Sequence, residues 1–290
     1  MARIPDKFLG CVAYIYPSRK DAEEGNKHGA TGFFVRVYWT NNPSRRHVYA
    51  VTNKHVIARC PVKVVVRATR LDGTLEFIER DPSDWHPSLM HDISVLPIEL
   101  SRAALLENVS DGLFVSPENF EDSIEGATCL GPGDEVFMIG RFISHDGKVK
   151  NHPSTRFGNL STLAAPIKNE YGLDQESFAV DMRSISGNSG SPAFIFWEFG
   201  GGHLRGVNRT FDKSFIALLG VDWGHIPLRL LVLDENGKSL QEKFYVNSHT
   251  SMCAVVPAWH LRDLLNYAAL QELRMRDEED EAANLRNEGV

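Results

Sequence analysis

"SISGNSGSPAF", residues 184–194, brackets Asn188 and Ser189 with Gly187 and Gly190 and leads into the apolar run 193–197. A serine hydroxyl is a weak nucleophile near neutral pH. It needs a general base within hydrogen-bond reach, and that base needs an orienting partner. It also needs backbone N–H donors aimed at the oxygen that becomes negative. A glycine two residues before the serine supplies a turn whose N–H can face inward, and the serine's own N–H supplies a second donor. Ser189 is therefore a candidate nucleophile, with the N–H groups of Gly187 and Ser189 as a candidate oxyanion hole. By itself the stretch reads equally well as a tight turn before a buried strand.

Two further stretches tip that balance. "YAVTNKHVIARC" (49–60) ends a strand-like run close to His55, and "HDISVLPIEL" (91–100) opens another with Asp92. His55 is the candidate base, and Asp92 the group that fixes its tautomer and stabilises the imidazolium. The chain order His55, Asp92, Ser189 is one of three known for such triads, and it is the order of the double β-barrel proteases. A lone histidine after a strand is ordinarily a core or surface residue, and a lone aspartate at a strand start a turn residue. Three matched stretches in one chain favour the catalytic reading.

The rest of the chain is dominated by runs rich in β-branched and aromatic residues, separated by turn residues. They include "CVAYIYP", "TGFFVRVYW", "VKVVVRAT", "EVFMIGRFI", "PAFIFWEF", "HLRGVNR", "SFIALLGVDWG", "RLLVLDENG" and "KFYVN". "LDGT" (71–74) and "DENGK" (234–238) carry hairpin-turn chemistry. Such a pattern predicts an all-β barrel or sandwich. "SRAALLENV" (101–109) is expected as a short helix. From Pro257 onward, Leu261, Leu264, Leu265, Ala268 and Ala269 recur at helical spacing, and beyond Met275 the acidic run "RDEEDE" predicts a solvated or frayed tail.

Several classes are disfavoured by composition. A net charge of −7, with no Lys/Arg-rich run, argues against a nucleic-acid partner. No stretch approaches the ~20 apolar residues that span a membrane. The N-terminal "MARIPDKFLGCVAYIYPSRKD" shows no signal-peptide core, so a cytoplasmic location is expected. Cys11, Cys60, Cys129 and Cys253 are scattered with no CxxC pair, which argues against zinc and for free buried thiols. His86 and His91, five residues apart on a proline-containing loop, make a poor metal pair. No metal and no cofactor are expected.

At these motifs the chain resembles the trypsin-like (chymotrypsin-fold) serine proteases, and within them the bacterial glutamyl-endopeptidase and HtrA-like branches. "TNKHV" and "GNSGSPAF" are similar to the glutamyl-endopeptidase signatures, and "DISVL" to the family's aspartate motif. "LLGVDWG" (218–224) resembles the strand that lines the specificity pocket, and "MCAVVPAWHLRDLL" (252–265) the closing strand and C-terminal helix of the HtrA-like domain. The resemblance spans roughly residues 8 to 266. It implies two antiparallel six-stranded β-barrels, at about 8–128 and 129–256, then a C-terminal helix and a charged tail over 267–290, helical or disordered. It implies a serine endopeptidase acting on a protein or peptide substrate through an acyl-enzyme. The alternative is a catalytically silent protease-fold binding or effector module, for which 101–128 and the acidic tail are candidate partner surfaces.

The sequence departs from the family in two places. The animal digestive branch has an aspartate just before the serine, which pairs with an N-terminal amine created by cleavage. Asn188 carries no charge, so a site competent without cleavage is expected. Counted back from Ser189, Arg183 and Ser184 fall at the pocket floor, while Asp222 replaces the histidine of the glutamyl-endopeptidase "HWG" strand. Trp223 and Gly224 offer backbone for an extended substrate. The sequence is equally compatible with an Arg183 that points to solvent; an inward Arg183 fits an acidic P1 side chain and an inward Asp222 a basic one. A pair between them leaves a neutral floor for small or apolar P1. The cost of leaving opposite charges apart in a dry cleft favours the pair.

Overall fold

Strands that are apolar at every position need a core on each face. Residues 12–16 are such a strand. Ala13 and Ile15 join one buried cluster, whereas Val12, Tyr14 and Tyr16 join another. Residues 135–140 repeat the arrangement, with Val136 and Met138 in a third cluster and Phe137 and Ile139 in the cluster that holds Val12. Two barrel interiors and one shared layer between them account for all three clusters.

The computed structural model describes residues 4–25, 28–42, 44–103, 106, 130–143, 145, 147, 149–169, 174–184, 187–197, 215–239 and 244–287. Among these, β1 (Val12–Tyr16), β2 (Ala30–Tyr38), β3 (Arg46–Thr52), β4 (Val64–Thr69), β5 (Leu75–Arg80), β6 (His86–Pro87) and β7 (Ser94–Ile98) form the first sheet. Its antiparallel order is β5-β4-β1-β2-β3-β7-β6. The second sheet contains β8 (Glu135–Gly140), β9 (Ser154–Lys168), β10 (Asp174–Asp181), β11 (Pro192–Trp197), β12 (Phe215–Leu231) and β13 (Tyr245–Pro257). It closes as β10-β13-β12-β11-β8-β9, with β9 pairing back onto β10. The architecture is the expected double β-barrel. Among the described residues the first half has seven strands, counting the two-residue β6, and the second closes fully.

Short helices α1 (Asp6–Gly10), α2 (Arg19–Glu24), α3 (Lys54–Ala58) and α4 (Leu100–Ala103) decorate the first half. The hairpin turns behave as read. Gly73 and Gly237 take positive φ of 81° and 76°, where a side chain would be strained, and Asp72 Oδ1 accepts from the Thr74 N–H at 2.9 Å. The "RLLVLDENG" and "KFYVN" runs are not separate strands. They extend β12 and β13 into one long ribbon paired as far as Leu231 with Tyr245. β9 was not anticipated, because Leu160 is its only buried residue and its mixed polarity leaves no alternating signal. The "HLRGVNR" run, Cys129 and most of 101–128 lie outside the described residues.

The C-terminal periodic segment is two helices, α5 (Ala258–Leu265) and α6 (Ala268–Asn287). Leu261, Leu264 and Leu265 seat α5 in the inter-barrel layer. The Asn266 N–H then turns back to the Arg262 and Asp263 carbonyls and ends it. The charged tail is helical, and α6 reaches across to the first sheet. Arg274 Nη1 donates to the Tyr49 hydroxyl at 3.0 Å, and Arg45 pairs with Glu281 at 2.8 Å. Leu270, in the first turn of α6, is buried in the shared layer. Cys11, Cys60 and Cys253 are buried free thiols. Among the described residues no helix is long and apolar enough to cross a membrane.

Candidate active site

Thr52 ends β3, and Asn53, fully buried, starts the short helix that carries His55. The Asn53 side-chain amide donates to the Asp92 carbonyl at 2.8 Å, which ties the helix start to the segment entering β7. The Asp92 carboxylate then holds His55 with both oxygens. Oδ1 accepts from the His55 backbone N–H at 2.9 Å, and Oδ2 meets Nδ1 at 2.6 Å. A carboxylate can only accept, so Nδ1 carries the hydrogen and the Nε2 lone pair is left to face outward. A ring held this way can take a proton at Nε2, with the carboxylate ready to stabilise the resulting imidazolium.

Ser189 sits in a turn whose glycines earn their place sterically. Gly187 and Gly190 adopt φ of 93° and 86°, in the left-handed region. A Cβ on Gly190 would lie 2.1 Å from the Thr31 carbonyl oxygen and 2.3 Å from Thr52 Oγ1. The turn is therefore pressed against the ends of β2 and β3, three residues from His55. Hydrogen bonds fix it there. Thr31 N–H donates to the Ser189 carbonyl at 3.0 Å, and Thr31 Oγ1 donates to the Gly187 carbonyl at 2.6 Å. Thr31 Oγ1 in turn accepts from the buried Arg141 N–H at 2.9 Å. On the far side, Gly190 N–H donates to the Asp222 carbonyl and Asp222 N–H to the Ser191 carbonyl, at 2.8 and 2.9 Å.

The Gly187 and Ser189 N–H groups donate to no acceptor among the described residues. No hydrogen bond joins Ser189 Oγ to His55 among the described residues. Catalytic hydrogen bonds are often long before substrate binds.

Of the pocket arrangements the sequence left open, the Arg183–Asp222 pair is not formed. Arg183 is exposed and makes no ion pair with Asp222, which is fully buried. Asp222 Oδ2 instead accepts from Ser184 Oγ at 2.9 Å. Burial pushes the Asp222 carboxyl up to about 8, against the opposing pull of the Ser184 hydroxyl and the Gly224 N–H. Protonation, not pairing, removes the cost of a buried charge here. Trp223 is buried, with its indole N–H donating to Ser177 Oγ at 2.9 Å. A Cβ on Gly224 would meet nothing within 4 Å, so the wall beside Trp223 is open. Thr31, Ser177 and Arg141 take part in this arrangement without any local sequence signal, as does Gln175, whose Oε1 accepts from the Asp92 N–H at 2.9 Å.

No protein-family model matches the sequence, and none of the curated proteins matches it. Solved structures do. The MamO protease domain from Magnetospirillum magneticum superposes with a TM-score of 0.51, at 14% identity, over 89% of this chain and 96% of that one. The fold is that of the trypsin-like serine proteases. Other solved structures with this trypsin-like fold align more loosely. An inactive serine-to-alanine mutant of Rv3671c from M. tuberculosis H37Rv has a TM-score of 0.44 at 15% identity, over 89% of this chain and 87% of that one. Human heparin binding protein has a TM-score of 0.47 at 9% identity, over 91% and 93%.

Proposed function

We propose that the chain is a serine endopeptidase that cleaves peptide bonds through an acyl-enzyme. The observation that carries this reading is the two-oxygen grip of Asp92 on His55, together with a glycine-bracketed serine whose turn is pressed against the end of β3, three residues from His55. Ser189 Oγ attacks the scissile carbonyl and His55 Nε2 takes its proton. The N–H groups of Gly187 and Ser189 stabilise the oxyanion, and His55 returns the proton to the leaving amine. Water repeats the sequence on the acyl-enzyme. No cofactor enters these steps.

The same geometry supports a preference for small or apolar P1 side chains. Arg183 is exposed and makes no ion pair with Asp222, and burial raises the Asp222 carboxyl to about 8, so neither residue puts a full charge on the floor near Ser184 at neutral pH. A second reading, a protease-fold binding module, is favoured by the absent Ser189–His55 hydrogen bond. Hydrolysis of matched peptides bearing Ala, Leu, Glu or Arg at P1 separates the two readings. The endopeptidase cleaves the Ala and Leu peptides best, and its Ser189→Ala variant cleaves none. A folded wild-type protein that cleaves no peptide supports the binding module.

A further inference from the structure

We propose that Gln175, from the second barrel, is a positioning residue that locks Asp92 across the barrel interface, with its own amide held by His91. This rests on the endopeptidase reading for its catalytic consequence but not for its geometry.

Gln175 lies at the start of β10 and is only 4% exposed. Its Oε1 accepts from the Asp92 backbone N–H at 2.9 Å. A backbone N–H can be met only by an acceptor, so the oxygen of the amide must face Asp92 and its NH2 must face away. That NH2 donates to His91 Nδ1 and to the Glu176 carbonyl, both at 3.0 Å. His91 Nδ1 is therefore an acceptor, and the His91 ring carries its hydrogen on Nε2. The ring is itself fixed. It stacks on His260 of α5 at 3.4 Å between centroids, with the planes 19° apart, and His260 Nε2 contacts Glu176 Oε2 at 2.7 Å.

Asp92 is thus held at three points. Its N–H is bound by Gln175 of the second barrel and its carbonyl by Asn53 of the first, while its carboxylate grips His55. A backbone fixed on both sides leaves the carboxylate little freedom to swing away from His55. The charged and titratable groups facing His91 are His260, Glu176, Lys54 and Asp263. Burial first, then His260, push His91 down to about 4, so its Nδ1 stays an acceptor across the neutral range. A proton on Nδ1 would set donor against donor and turn the amide away from Asp92.

Two variants test the role. Gln175→Leu removes both contacts. Gln175→Glu keeps an acceptor for the Asp92 N–H but offers no donor to His91. With Leu, kcat should fall about 10²-fold at unchanged KM, the scale of a small misplacement of a catalytic group. The low-field NMR resonance of the His55 Nδ1 proton should weaken or vanish. With Glu, much of kcat should return and the His91 titration should move upward, because a carboxylate there favours the imidazolium. Equal impairment of both variants, or wild-type kcat and an unchanged His55 resonance in Leu, overturns the proposal. If Leu does not fold, Glu decides alone, and a His91 titration unchanged from wild type overturns it. A wild type without turnover defeats the endopeptidase reading, and the His55 resonance still reads the Gln175 contact.

Discussion

At Ser189 the expected chemistry depends on one oxygen. Ser189→Ala keeps the turn, since Gly187, Gly190 and the Thr31 contacts are untouched, and should fold normally while losing about 10⁴–10⁶-fold in kcat. Circular dichroism together with peptide turnover checks both halves. Asp222 gives a residue-scale prediction that does not need catalysis. Its carboxyl is raised from the ordinary 3.8 to about 8. Between those values the folded protein keeps a proton that the unfolded chain has released, so stability falls as pH rises, by at most about 1.4 kcal/mol per pH unit. Below the window both states are protonated, and above it the loss is complete. Asp222→Asn removes the slope. Urea unfolding between about pH 5 and pH 9 should show the variant gaining on wild type as pH rises. A difference that does not change with pH would mean that the buried carboxyl is ionised throughout.

Among the elements, the end of β2 matters most, because Thr31 binds the serine turn at two carbonyls and receives the Arg141 N–H. Thr31→Val conserves shape but strands the Gly187 carbonyl and a buried N–H. It should cost about 1–3 kcal/mol and lower kcat as the oxyanion turn loosens. Thermal unfolding and turnover on the same preparation check this, and a variant with wild-type values in both would remove Thr31 from the support of the turn. The elements that were legible in the sequence were those with a two-faced core. Apolar runs such as 12–16 and 136–139 declare themselves as strands because every position is buried. The closing strand β9 was hidden because Leu160 alone is buried in it. The end of β12 and the start of β13 were seen as separate runs, since sequence periodicity does not say that an exposed ribbon continues. His55, Asp92 and Ser189 were legible because each sits in a short stretch whose neighbours are constrained by the same chemistry. Gln175 and Thr31 were not. They are ordinary polar residues in strands, and their partners are 83 and 156 positions away, so only the packing of one barrel on the other reveals them.

The whole molecule places its candidate chemistry at the seam between two halves. The first supplies His55 and Asp92 and the second supplies the serine turn, with Phe137, Phe194, Tyr14 and Val51 packed in the layer between. Thr31, Thr52 and Arg141 hold the turn from within the chain, which supports activity without an N-terminal cleavage. The most direct test of the central claim is therefore labelling of the intact, uncleaved protein with a fluorophosphonate, mapped by mass spectrometry. The expected result is a single adduct on Ser189, formed on folded protein and slowed in Asp92→Asn. A folded protein that stays unlabelled, that is labelled elsewhere, or that is labelled only after its N-terminus has been clipped would contradict the account.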